Sequence, residues 1–215
     1  MNKIILENTA KRYIKEWVFR DLSYSFKSDN AYVLLGSNGS GKSTLLQVVS
    51  SYLSPSKGKV QFFNNEELLE SSIVYKQISL ATPYMELPEE FTLSEVINFH
   101  LKFKSFRSDI SKDEFIKICY LENAKDKVVS NFSSGMKQRL KLALAILSDT
   151  DGLFLDEPTS NLDKKGIEWY KQLISANLKG RIVVVCSNHI EDEYFFCNEQ
   201  IQIEDYKKAK KIKIG

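Results

Sequence analysis

Ala31-Tyr32-Val33-Leu34-Leu35-Gly36-Ser37-Asn38-Gly39-Ser40-Gly41-Lys42-Ser43-Thr44 is the stretch whose reading decides the fold. The apolar run that ends at Gly36 reads as a buried strand feeding a turn. From about Lys42 to Leu53, ahead of Pro55, the pattern is helical. Between the two, residues 36–43 match G-x-x-x-x-G-K-[S/T], and a preceding strand and a following helix are the context that this spacing requires. Glycine lets a backbone wrap closely around phosphate oxygens, and consecutive N–H groups with a helix N-terminus supply positive potential. Three of the nine glycines lie in this one loop. Phosphate contacts are therefore expected along Gly36, Ser37, Asn38, Gly39, Ser40, Gly41, Lys42, Ser43 and Thr44. Lys42 adds a full positive charge toward the outer phosphates, and the Ser43 hydroxyl is placed to ligate Mg²⁺. A chance match of the four fixed positions is expected in only about 1% of chains of this size. The loop implies nucleotide binding.

Working outward, Lys3 to Glu7, Leu22 to Phe26, Val60 to Phe63 and Ile78 to Ala81 read as strands. Between about Pro83 and Leu147 the pattern turns helical, with capping boxes at Thr92/Glu95 and Ser111/Glu114. Leu153 to Leu155 and Arg181 to Cys186 are buried-strand candidates, separated by a helix from about Lys164 to Asn177. The alternation predicts an α/β fold with a mainly parallel sheet flanked by helices, antiparallel strands near both ends and an inserted helical lobe. We read residues 1–215 as a single domain, with a core over about 1–82 and 148–215 and a lobe over about 83–147. Ligands of such sheets bind beyond the carboxyl ends of the strands.

Leu153-Phe154-Leu155-Asp156-Glu157 delivers two carboxylates at such an end. Successive side chains of a strand diverge, so the two can serve different roles. Asp156 is suited to hold Mg²⁺ and Glu157 to polarise an attacking water as general base.

Phe132-Ser133-Ser134-Gly135-Met136, continued by Lys137-Gln138-Arg139-Leu140, resembles the signature sequence of ABC ATPases, and it lies just upstream of the acidic strand as in that family. Pro158-Thr159-Ser160-Asn161-Leu162-Asp163 is similar to the family's D-loop, and His189 to its switch histidine. The resemblance spans nearly the whole chain in the family's order. It implies a P-loop NTPase core, ATP and Mg²⁺ as ligands, and two protomers closing head to tail around two ATP. In that arrangement Ser133, Ser134 and Gly135 address the nucleotide of the other subunit, Asp163 belongs to the D-loop, and His189 joins Lys42 and Glu157 in catalysis. The resemblance also implies an aromatic stacked on adenine, for which Tyr13 and Trp17 are both candidates. Two departures stand out. The family's Gln is expected near Pro83, which has no such side chain; Gln77 is displaced ahead of the strand, so either Tyr84 or Glu86 substitutes or the contact is absent. Phe132, Ser134 and Met136 replace the usual signature residues while Gly135 is kept, and slow turnover is expected.

The remaining composition limits the partners. The 215 residues are 43% hydrophobic, enough for a buried core, and 30 Lys and Arg against 28 Asp and Glu leave a net charge of +2. That balance does not suit a dedicated nucleic-acid binder. No apolar run approaches the roughly 18 residues of a spanning helix, and Met1 to Thr9 carry no secretory pattern, so a cytoplasmic protein is expected. Cys119, Cys186 and Cys197 read as reduced thiols, and His100 as a packing residue. Of the five lysines among Lys207 to Lys213, a solvated end is the expected role. The preferred reading is the ATP-binding subunit of an ABC transporter, working with separate transmembrane partners as a self-dimer or heterodimer and peripheral on the inner face of the membrane. The alternative is a soluble ATPase of an assembly pathway, such as iron-sulfur cluster assembly. Pro83 to Phe91, aromatic and acidic, is the expected docking surface.

Overall fold

The computed structural model describes residues 1–207, so most of the basic tail, from Lys208 onward, lies outside the described residues. A five-stranded parallel sheet organises the chain, in the order β6 (Ile78–Ala81), β7 (Gly152–Asp156), β8 (Ile182–Ser187), β3 (Asn30–Leu35) and β9 (Glu199–Gln202). A four-stranded antiparallel sheet is built from β2 (Glu16–Lys27), β1 (Lys3–Tyr13), β4 (Lys57–Asn64) and β5 (Glu67–Leu68), in that order. Among the described residues the antiparallel strands are thus β1, β2, β4 and β5, all in the N-terminal half. The last strand, β9, does not pair antiparallel as the sequence suggested; it runs parallel to β3, Tyr32 facing Glu199 and Leu35 facing Gln202.

Register positions the site. Leu35 pairs with Ser187 and Asp156 with Cys186, so β3, β8 and β7 end side by side with their carboxyl ends on one edge. The strands are buried on both faces, and their alternation splits the interior in two. Phe154, Val184 and Leu34 point to a core shared with Ile4, Leu6, Phe19, Leu45 and Leu46, beneath the antiparallel sheet and helix α1 (Lys42–Val49). Leu153, Leu155, Val183 and Val185 point to the other, shared with α5 (Ser134–Ile146) and α6 (Lys164–Ser175) through Leu140, Ala143, Tyr170 and Ile174.

Helix α1 stops at Val49, one turn short of the predicted Leu53. A short helix that the pattern did not announce, α2 (Ser71–Gln77), ends where β6 begins, so Gln77 does precede the strand. Helices α3 (Leu93–His100) and α4 (Lys112–Ile118) start at Thr92 and Ser111 with both bonds of each capping box formed, which satisfies two orphan donors per helix. A one-turn helix, α7 (Glu191–Tyr194), follows β8. His100 packs, as expected: its Nε2 lies 2.9 Å from the Ser148 hydroxyl and its ring stacks on Phe106. Burial, reinforced by the Lys104 charge, pushes its pKa down to about 4, so it is neutral near pH 7.

At the amino ends of these strands Arg181 is fully buried. Its guanidinium donates to Ile146 O at 2.7 Å and Ser148 O at 3.2 Å, and to the hydroxyls of Thr150 at 2.6 Å and Ser79 at 3.2 Å. Ile146 O, the last carbonyl of α5, which no intrahelical N–H can reach, is thereby capped by a cation at the negative end of the helix dipole. Arg181→Ala should remove four bonds, leave buried acceptors unpaired and open a cavity. We expect a loss on the order of 3 kcal/mol of unfolding free energy in urea titration; a loss below about 0.5 kcal/mol would contradict this account.

Candidate nucleotide site

Gly41 caps α1 with a φ of 105°, a left-handed conformation that costs a side chain dearly. A Cβ there would also lie 2.3 Å from Val18 Cγ1. The helix has no side-chain cap and no acidic residue in its first turn. Its first N–H groups are left for an external acceptor, and an anion is the complement of that end.

Lys42 opens the helix at 5% exposure. Its ammonium donates to Gly36 O at 2.8 Å, Ser37 O at 3.0 Å and Asn188 Oδ1 at 2.6 Å, which uses all three of its protons. The amide of Asn188, directly after β8, donates in turn to Glu157 Oε1 at 2.6 Å. Glu157 follows β7 with a left-handed φ of 45°, rare for a residue with a side chain, and its backbone N–H donates to Cys186 O at 3.0 Å. Asp156, the last residue of β7, is 3% exposed, and its Oδ1 is buried with no hydrogen-bond partner. Burial drives the Asp156 pKa up, while the Ser43 hydroxyl and then the Lys42 charge act in the opposite direction.

That orphaned oxygen is the observation against which a metal can be tested. Among the described residues no group of three or more His, Cys, Asp and Glu converges, so a cation here would take Asp156 and the Ser43 hydroxyl from the chain and the rest of its shell from phosphate and water. Mg²⁺ binds in this manner, and the residues fit it.

His189 has a φ of 63° and is exposed, with no side-chain hydrogen bond to a described residue. Tyr13 and Trp17 both line a cleft of about 580 Å³ that reaches Gly39 and Ser40. The Trp17 ring is surrounded by Arg12, Lys57 and Arg20 at 5.4 to 5.7 Å, whereas Tyr13 is 51% exposed and faces Lys11 alone. Ser133 caps α5 by accepting from Met136 N at 3.2 Å, and Asp163 caps α6 by accepting from Gly166 N at 2.8 Å. Gly135 lies so close to the loop after β7 that a Cβ would meet Asn161 O at 3.3 Å. Lys42, Ser43, Asp156 and Glu157 therefore converge within one protomer, with Tyr13 along the same cleft, while Ser133 to Gly135 and Asp163 belong to helix starts elsewhere on the surface.

Three residues were missed. Asn188 could have been flagged as the polar residue ending a strand beside the acidic one. Glu193 accepts from Thr159 Oγ1 at 2.8 Å and ties the loop after Glu157 to α7, its pKa raised chiefly by burial. Glu204 accepts from Ser37 N at 3.0 Å, a bond that holds its pKa below the usual range. Neither carries a local sequence signal. Pro83 indeed offers no amide; Lys141 on α5 instead reaches the carbonyls of Thr82 and Pro83 at 3.4 and 3.3 Å.

Comparison with known proteins shows the family. A family model described as ABC transporter matches residues 19–160. An uncharacterised ABC transporter ATP-binding protein of Bacillus subtilis, YybJ, is 33% identical over 197 residues, covering 91% of this chain and 90% of that protein. The Nod factor export ATP-binding protein I of Burkholderia orbicola is 28% identical over 210 residues, covering 95% of this chain and 69% of that one. Among solved structures, the fold is similar to a dimeric post-hydrolysis state of the ATP-binding cassette MJ0796 bound to ADP and Pi, with a TM-score of 0.76, 23% identity and 93% of each chain covered.

Proposed function

The chain belongs to the ABC transporter family and is one of its ATPases, and from that premise we propose that it powers transport through a separate membrane-spanning partner by ATP-driven closure of a dimer. The observation that carries the reading is the convergence of the Lys42 ammonium with the Asp156 and Glu157 carboxylates at the ends of β3 and β7.

In this mechanism residues Gly36 to Thr44 wrap the phosphates of ATP, and the ammonium of Lys42 exchanges its contact with Asn188 for the outer phosphate oxygens. Ser43 and Asp156 would hold Mg²⁺, which supplies charge neutralisation to the phosphates when bound. Glu157 accepts a proton from the attacking water, and Lys42 and His189 stabilise the charge that develops on the transferred phosphoryl group. Tyr13, more open than the cation-ringed Trp17, stacks on adenine. Ser133, Ser134 and Gly135 at the start of α5 meet the nucleotide of the opposite protomer, with Asp163 in the loop between them. The cassette MJ0796, dimeric with ADP and Pi, supports closure of two copies.

Among the described residues no helix is long and apolar enough to cross a membrane. A groove of about 610 Å³ opens beside the Pro83 to Phe91 stretch, walled by Tyr75, Leu80, Met85, Leu87, Phe99 and Phe103. An apolar groove of this size fits an amphipathic segment of the membrane partner, and through that partner the chain would sit peripherally at the cytoplasmic face.

Glu157→Gln should keep MgATP binding by titration and lose about 10²-fold in turnover, and light scattering should find it dimeric at high MgATP. Unchanged turnover removes Glu157 from the mechanism, and a monomer under those conditions removes closure across two copies. Purified from detergent-solubilised membranes, the chain should carry a polytopic membrane protein in fixed stoichiometry; recovery only from cytosol would exclude the transporter reading.

A further inference from the structure

The Lys42 ammonium is fully satisfied by acceptors of the chain itself. Two of its acceptors are carbonyls of its own loop, fixed by the backbone. The third, Asn188 Oδ1, is a side chain that can rotate, and it is the acceptor that must yield when a phosphate arrives. The same amide donates to Glu157. A lysine ammonium only donates and an ionised carboxylate only accepts, so the amide can be inserted between them in one orientation alone. A hydroxyl at this position would present one oxygen to both; the amide spans them with two atoms. Glu157 and His189, the latter next to Asn188, both adopt left-handed φ values, 45° and 63°.

We propose that Asn188 is a positioning residue: its one amide competes with nucleotide for the Lys42 ammonium and holds the Glu157 carboxylate in place for hydrolysis once Lys42 has turned to the phosphates. This rests on the reading of Lys42 as the phosphate contact and Glu157 as the base. Loss of the amide then has opposite consequences for binding and for chemistry, which a merely structural role would not produce.

Two variants test it, with KM, kcat and the directly titrated Kd for MgATP as readouts. Asn188→Ala removes the competitor and the orienting donor together, so Kd and KM should fall about threefold or more while kcat falls about tenfold to 10²-fold. Asn188→Asp is nearly isosteric, which protects the fold. It gives Lys42 a charged acceptor and Glu157 a repelling neighbour, so Kd and KM should rise while kcat falls. Shifts of Kd in the same direction for both variants, or an unchanged kcat in either, would overturn the proposal. Glu157→Gln run alongside separates the two levels: if it keeps full turnover the underlying reading fails, and if it loses turnover while the Asn188 variants keep theirs, only the positioning role fails.

Discussion

A buried ammonium with no carboxylate bonded to it sets the terms for everything near it. Lys42 is 5% exposed, and its hydrogen-bond partners are two carbonyls and an amide rather than an acid. A charge taken out of water on dipoles alone costs free energy that an anion would recover. The arrangement persists because the surroundings leave it no alternative. Gly41 needs its left-handed φ for the loop to turn back over the ammonium. Asn188 needs β8 to lie between β3 and β7, because only in that order does one amide reach the phosphate loop on one side and the acidic strand on the other. Asp156, buried with an unpartnered oxygen on the same edge, is the matching deficit of opposite sign. The ammonium is held by neutral acceptors and the carboxylate keeps an unpartnered oxygen, a pair of deficits that a metal-bound triphosphate would meet together.

This division explains what the sequence could disclose. The strand Ile78–Ala81 and the capping boxes at Thr92 and Ser111 were legible because their causes are local: apolar periodicity, or a hydroxyl three residues from a glutamate. The phosphate loop and the acidic strand were legible because each bears its chemistry within a few residues. What was hidden rests on long-range pairing. Strand β9 carries alternating polar residues that suit an edge of either orientation, and its parallel register with β3 is decided by where α7 returns the chain. Asn188 acquires its role from residues 146 and 31 positions away, and Glu204 from one 167 positions away. Helix α2 has only Val74 buried, so it lacks the apolar stripe by which helices are recognised.

Pro83, where the family's glutamine is absent, raises the question of how the phosphate site and the lobe are joined, and α5 answers it mechanically. Its 13 residues form a rod about 20 Å long. One end begins at Ser133, abutting Asn161 in the loop beyond Glu157. At its middle Gln138 is buried and donates to Pro158 O at 3.0 Å, one residue past Glu157. One turn on, Lys141 reaches the carbonyls that follow β6, and Leu144 and Ala145 then wall the apolar groove. Buried apolar side chains along the same helix lock it to the sheet face, so it cannot bend to absorb a displacement. Gln138 and Lys141 thus tie the segment after Glu157 and the segment after β6 to one helix, which also walls the groove.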